Sequence, residues 1–278
     1  MLGQFHTLTI LRFTDHGAYV DGGEIGEILL PKAYVRPEMR PGDSVRLFVY
    51  LDQQERLVAT TETPLAQVGQ CAHLEVAWVN EHGAFLRWGV MKDLFVPFRE
   101  QKRNMELGES YIVYVYVDPE TQRLAATAKI ERHLQPASPA HYHRGTEVDV
   151  LVWHRTEMGL KVIVDHCHQG LVYNDQLYGH EPRTGERLRG TVVDVRPDGR
   201  LDISLQRIGK GRFRDFAEVL ADELQAAPNR CLPLTDKSPA EESEARFAVS
   251  KKTFKRALGT LYRQRLVALT DAGVQWIG

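Results

Sequence analysis

The densest set of residues suited by type and spacing to chemistry lies near the C-terminus. On a helix starting after Ser250, Lys252, Arg256 and Arg263 fall within about 40° of one another at 100° per residue. Gly259 sits among them, although glycine costs a helix interior roughly 1 kcal/mol relative to alanine. A bare patch between cations lets a phosphate backbone approach closely, and Lys255 extends the same footprint. The competing reading is a solvated basic face or a protein contact. A second candidate is Asp165-His166-Cys167-His168, with His141, His143 and His180 nearby in sequence. His166 and His168 share one face of a strand, so two metal ligands are conceivable there. No Cys-X-X-Cys or His-X-X-X-His spacing accompanies them, which favours a polar turn between strands.

Nothing in the chain supplies a nucleophile or an acid–base pair. There is no Gly-X-X-X-X-Gly-Lys-Ser/Thr loop, no His-Glu-X-X-His and no Gly-X-Ser-X-Gly. Asp21 to Gly26 is glycine-rich but lacks the strand-to-helix context of a dinucleotide loop. The carboxylates are scattered. The expectation is a protein that is not an enzyme, with no metal and no cofactor.

The elements that position these residues follow from an internal repeat. Asp15-His16-Gly17-Ala18-Tyr19-Val20 matches Glu81-His82-Gly83-Ala84-Phe85-Leu86 at an offset of 66. Leu30-Pro31 and Val96-Pro97 recur at that offset, as do Gly42-Asp43 and Gly108-Glu109. Leu57-Val58-Ala59-Thr60 matches Leu124-Ala125-Ala126-Thr127 at 67. A more divergent third copy carries Met158-Gly159-Leu160-Lys161-Val162, Gly170-Leu171-Val172-Tyr173, Gly185-Glu186 and a closing Leu201-Asp202-Ile203-Ser204-Leu205.

Each unit reads as five short strands bounded by turn residues. In the second, Leu74, Val76 and Trp78 alternate with Glu75 and Ala77, a period of two. About 65 residues with five strands suits a small closed barrel of the OB type, which leaves no exposed edge. An open meander or an SH3-like barrel is the alternative. The unit boundaries read as 1–63, 64–134 and 142–208, with Gln135 to Ala140 as one linker and Ile208-Gly209-Lys210-Gly211 as another. Only Glu62-Thr63-Pro64-Leu65 separates the first two, so they should pack closely.

From Arg212 the period becomes helical. Phe213, Phe216, Ala217, Leu220 and Leu224 lie on one face of a helix that ends at Ala226-Ala227-Pro228-Asn229. A short helix is expected within Ser238 to Phe247, with Ser238 as cap. Ser250 caps a third, whose apolar stripe is Phe254, Ala257, Leu258, Leu261 and Tyr262. Leu266 to Leu269, a turn at Thr270-Asp271-Ala272-Gly273, and Val274 to Ile277 make a hairpin. Three helices and a hairpin over 212–278 form a winged-helix plan, with the third helix at the groove-entering position. The fold class is thus multi-domain and mainly β: three tandem OB-type five-stranded barrels and a C-terminal α+β winged-helix domain.

Composition limits the partners. The 278 residues carry 35 Lys+Arg and 37 Asp+Glu, a net charge of −2. Residues 1–141 hold 14 basic and 18 acidic side chains, 142–211 hold 10 of each, and 212–278 hold 11 and 9. Binding driven by charge alone should be modest and should favour the C-terminal half. No apolar run approaches the roughly 18 residues of a membrane span, so no membrane partner is expected. Met1 to Ile10 lacks a signal-peptide pattern, and Cys71, Cys167 and Cys231 read as reduced thiols, so the expected location is the cytoplasm.

The order strand, Gly-Ala-aromatic-Val, Gly-Leu-Val-X, Pro-Gly-Asp-X-Val, Val-X-X-Asp and a closing Leu-X-Ile-Ser-Leu resembles the S1 motif. Gly17-Ala18-Tyr19-Val20, Gly83-Ala84-Phe85-Leu86, Gly170-Leu171-Val172-Tyr173 and Asp202-Ile203-Ser204-Leu205 carry it most clearly. Three such units with a winged helix resemble the conserved virulence factor B family of bacterial RNA-binding regulators. The resemblance spans nearly the whole chain. It implies a barrel face where aromatics stack on bases and a His, an Asp and an Arg add polar contacts. The aromatic after the first Gly is matched by Tyr19 and Phe85, with Lys161 in the third unit. The aromatic before that Gly is replaced by His16, His82 and Met158. The family His becomes Leu30, Val96 and Tyr173. The Asp is kept as Asp52 and Asp118 but becomes Arg196, and the closing-hairpin Arg is matched by Arg56, Arg123 and Arg200. No unit has the full set.

The resemblance implies a cytoplasmic RNA-binding protein, single-stranded RNA being favoured. Tyr19, Phe85 and Tyr173 would stack bases, Arg56, Arg123 and Arg200 would contact the strand, and Lys252, Lys255, Arg256 and Arg263 would follow the phosphates. Barrel-core aromatics are the competing reading for Tyr19 and Phe85. A DNA-binding transcription factor led by the winged helix, and a scaffold of a ribosomal or RNA-degradation complex, remain as alternatives. The oligomeric state is left open.

Overall fold

The computed structural model describes residues 1–177, 182–207, 211–212, 216–247, 249–270 and 273–278, without the side chains of 175, 206, 207, 211 and 212. His180, Ile208 to Lys210, Phe213 and the Asp271-Ala272 turn of the sequence reading lie outside them. Residues 1–136 with 163–169 form one compact unit, and 137–162 with 170–278 the other.

The first barrel comprises β1 (Gln4–Thr14), β2 (Gly17–Asp21), β3 (Glu27–Pro31), β4 (Ser44–Leu51) and β5 (Leu57–Thr60). It closes in the order β1-β2-β3-β5-β4, with β4 returning to pair with β1. The second repeats this with β6 (Cys71–Val79), β7 (Gly83–Leu86), β8 (Leu94–Pro97), β9 (Ser110–Val117) and β10 (Leu124–Thr127). The third has β11 (Glu147–Thr156), β12 (Gly159–Val164), β13 (His168–Tyr173), β14 (Arg187–Val195) and β15 (Leu201–Arg207), with β16 (Gly211–Arg212) added beside β15. Each barrel closes through one parallel pair: Leu29 with Val58, Phe95 with Ala125, and Gly170 with Leu201.

The repeated glycine has a steric cause. A Cβ on Gly17, Gly83 or Gly159 would lie 2.1, 2.3 or 2.0 Å from the carbonyl oxygen of Leu30, Val96 or Val172. Only glycine permits the close approach of the second and third strands there. The same contacts correct one correspondence. The third-barrel counterpart of Leu30 and Val96 is Val172, not Tyr173. All three are fully buried and face the core, whereas Tyr173 aligns with Pro31 and Pro97.

Barrels one and two share a core. Phe48, Tyr50 and Val58 of the first join Leu74, Val76, Leu86, Trp88 and Val113 of the second in one cluster. Phe48 packs edge-on against Trp88, with ring centroids 5.6 Å apart. The short linker is also tied down, because Leu65 N–H donates to Trp88 O at 2.7 Å. Loop closure between the two barrels therefore costs little chain entropy.

The C-terminal domain holds α1 (Phe216–Ala226), β17 (Cys231–Leu232), α2 (Ala240–Phe247), α3 (Lys251–Arg263), β18 (Val267–Thr270) and β19 (Gly273–Trp276). Phe216, Leu220, Leu224, Phe247, Phe254, Leu258 and Leu261 fill its core. Ser250 caps α3, its Oγ accepting from Thr253 N–H at 3.2 Å. Two expectations change. Ser238 Oγ accepts from Thr235 N–H and closes a turn instead of capping α2. Tyr262, expected in the apolar stripe, is 57% exposed, since Leu258 and Leu261 complete the buried face without it.

A Cβ at Gly259 would meet nothing within 4 Å. No packing reason requires glycine there, and alanine should propagate α3 better. Gly259→Ala is expected to stabilise the C-terminal domain by roughly 0.5–1 kcal/mol. Thermal unfolding of the full chain checks this; a raised midpoint is expected, and a lowered one would contradict it.

Candidate nucleic-acid interface

The repeat places its second-strand aromatic on the outside of each barrel. Ala18 and Val20 are fully buried, as are Ala84 and Leu86, so the intervening Tyr19 and Phe85 point outward. The core-aromatic reading of these two rings is thereby excluded. Both are half-buried by neighbours on the barrel face.

A β-bulge sets those neighbours. The register of β1 against β2 shifts between Ile10 and Arg12, and that of β6 against β7 shifts between Val76 and Trp78, at the same repeat position. The extra residue reverses the alternation. Trp78, which strict alternation would place beside Leu74 and Val76 in the core, is instead 44% exposed. Its ring lies flat on Phe85, 3.7 Å between centroids and 3° between planes. Phe95 adds a third ring 4.8 Å from Phe85. Trp78 Nε1–H donates to Asp93 Oδ2 at 3.0 Å, which fixes the orientation of the indole. In the first barrel the Trp78 position is Arg12, whose guanidinium lies 4.2 Å over the Tyr19 ring while pairing with Glu27.

Beside the second-barrel rings lies a cleft of about 350 Å³, bounded by both barrels of the first unit. Phe85, Phe95 and Trp88 line it together with polar groups of Tyr50, Asp93, Asp118 and Thr121 and the charged Glu55, Lys92 and Arg123. Lys92 Nζ donates to Asp52 O at 2.8 Å, and burial pushes its ammonium below the ordinary lysine value. Arg123 pairs with Glu55 of the first barrel. Burial, with Tyr34 and Glu62 nearby, raises the Tyr50 phenol above its ordinary value.

The family-type Asp and Arg residues mostly serve hairpins. Asp52 accepts from the N–H groups of Gln54 and Arg56 and holds the Arg56 guanidinium through two bonds of 2.9 and 2.7 Å. Burial opposes its ionisation, but these bonds prevail and hold the Asp52 carboxyl below its ordinary value. Asp118 accepts from Glu120 N–H and Thr121 Oγ1. Arg200 stands 3.5 Å from Asp198. These Arg pairs are exposed, so each is weak and open to exchange for a phosphate. His16 is exposed at the β1–β2 turn, and His82 sits at the matching turn on the cleft rim.

The second unit distributes its residues differently. Lys161 Nζ lies 4.6 Å over the Trp153 ring. Tyr173 takes a 2.8 Å hydrogen bond on its Oη from Arg196, which also pairs with Asp202. Arg256 of α3 stands 5.9 Å over the same ring, so one of the helix cations is spent on the third barrel's tyrosine. Arg263 Nε donates to Gly259 O at 3.2 Å and leans over the bare patch. Lys252 and Lys255 are exposed. The Asp165 to His168 run forms the β12–β13 turn, where Asp165 and His166 take positive φ. His166 Nδ1 lies 3.1 Å from Cys71 O and His168 Nδ1 2.8 Å from Gln135 O, so both rings engage backbone. Among the described residues no group of three or more His, Cys, Asp or Glu is placed to hold a metal ion.

Trp78, Phe95 and Tyr50 were missed by sequence reasoning. The signal for Trp78 was Arg12 at the same offset, a charged residue that no barrel core would accept.

The S1 domain family matches residues 2–62 and 68–129. The family described as virulence regulatory factor CvfB, second domain, matches 135–207, and the CvfB-like winged helix domain matches 218–275. The uncharacterized protein YitL of Bacillus subtilis (strain 168) is 29% identical over 269 residues, covering 94% of this chain and 89% of its own. Conserved virulence factor B of Staphylococcus aureus (strain N315) is 24% identical over 237 residues, covering 83% and 78%. A crystal structure of a multidomain protein with nucleic acid binding domains from Streptococcus pneumoniae TIGR4 is similar at 23% identity and a TM-score of 0.42, covering 99% and 98%. No helix among the described residues is long and apolar enough to cross a membrane.

Proposed function

Because the chain belongs to the CvfB family, we propose that it is a non-catalytic regulator that binds single-stranded RNA. The observation that carries this reading is the outward stack of Trp78 on Phe85 with Phe95 beside it. Aromatic faces accept any base, and only unpaired bases can leave their own stack to meet them. Lys92, Arg99 and Arg123 flank the rings or their neighbouring hairpin and offer cations to the backbone. Tyr19 under Arg12, and Tyr173 with Arg196 and Arg256 near its ring, are secondary stations. Weak stations in series on one chain raise affinity through effective concentration.

Titration of the full chain with a labelled single-stranded RNA, the matching RNA duplex and a DNA duplex tests this near 0.15 M salt. The single strand is expected to bind best, and to weaken as salt rises. The salt slope should be shallow, because few cations stand beside the rings and stacking releases no counterions. Absence of single-strand binding would overturn the reading, and preference for duplex DNA would transfer the function to the exposed Lys252 and Lys255 face of α3.

A further inference from the structure

The cleft beside the aromatic platform has a size, a wall and a polar edge that describe one occupant. About 350 Å³ is at the small end of ligand pockets and suits a single ring system more than an extended ligand. Phe85 and Phe95 belong to both the platform and the cleft, so a strand crossing the rings passes over the opening. Lys92 and Arg123 stand at the rim, where a phosphate of that strand would lie.

Asp93 is the polar group best committed to reading. Its Oδ2 accepts from Trp78 Nε1–H, which holds the carboxylate in one orientation at the edge of the cleft. Its other oxygen receives no hydrogen bond among the described residues. An ionised carboxylate is an acceptor only, so it takes a base edge that donates. Cytosine presents an amino group where uracil presents a carbonyl oxygen, while the two rings are alike in size. Uracil's carbonyl would face a carboxylate oxygen, acceptor against acceptor.

We propose that the cleft between the first two barrels seats one base of the bound strand and that Asp93 selects a base carrying an exocyclic amino group over uracil. The inference rests on the single-strand reading of the platform. It adds base selectivity and assigns that selectivity to a residue outside the stacking rings and the closing-hairpin arginines.

The test compares oligocytidylate and oligouridylate of equal length on the full chain. One charge-assisted hydrogen bond gained against a repulsive contact predicts about tenfold tighter binding of oligocytidylate. Asp93→Asn keeps an acceptor for Trp78 Nε1–H and turns the second oxygen into an amino donor. The variant is expected to erase or reverse the preference, with the thermal midpoint of the chain unchanged. Thr121→Trp fills the cleft from its exposed rim and should also erase the preference, which guards against local misfolding in the first variant. Cytidine monophosphate added as competitor is expected not to displace the strand at the strand's own Kd, and displacement would overturn the strand as the source of the base. Equal affinity of the wild type for the two homopolymers, or a preference that survives Asp93→Asn, overturns the inference while leaving single-strand binding in place. Failure to bind either homopolymer overturns both.

Discussion

Phe85→Ala should weaken single-stranded RNA binding by roughly 10- to 100-fold. A stacked base is worth roughly 1–3 kcal/mol, and the substitution removes more than one ring's contribution. Trp78 lies on Phe85 with nearly parallel planes, so truncating Phe85 takes away the support of the indole as well. Phe95 loses its neighbour at 4.8 Å. The barrel itself should tolerate the change, because Ala84 and Leu86 on either side keep their fully buried places. Fluorescence anisotropy gives the Kd, and a thermal melt shows that the fold persists. Tyr19→Ala should cost less, since that station has one ring under a guanidinium already paired with Glu27. An unchanged Kd for Phe85→Ala would show that the platform is not the binding face.

The largest effect on stability is expected from Trp88→Ala. Trp88 is 2% exposed, and its Nε1–H donates to Lys92 O at 2.6 Å. Removing a buried indole of this size costs about 3–5 kcal/mol, a large share of a typical domain's stability. The ring also joins the two barrels, because Phe48 of the first packs edge-on against it. Both barrels should therefore lose stability together. Urea titrations followed by separate probes in the first and second barrels check this. A shift confined to the second barrel would show that the shared cluster does not couple them.

Most of the architecture was legible because the repeat is regular. A 66-residue offset brings glycine, the apolar pair and the turn residues back in register, and a five-strand unit of that length has few ways to close. The winged helix was legible from its change of period and from Ser250. The site was only partly legible, for a physical reason. Period-two alternation assumes an uninterrupted ladder, and the bulge at Ala77 breaks it, turning Trp78 from an expected core residue into the exposed half of a stack. Sequence also orders residues along a strand without ordering the strands in space. Tyr50, Glu55 and Arg123 meet at one cleft only because two barrels share a core. The Tyr173 correspondence failed by one residue, since Gly159 packs against Val172 and not against the residue that the motif spacing indicated.

The proposed function places a single strand on the second barrel's aromatic face. Photocrosslinking the full chain to single-stranded RNA and mapping the linked peptides by mass spectrometry tests it most directly. Crosslinks are expected within β6 to β8, at Trp78, Phe85 or Phe95, with weaker ones at Tyr19. Crosslinks confined to α3 and the β18–β19 hairpin, with none in β6 to β8, would contradict it.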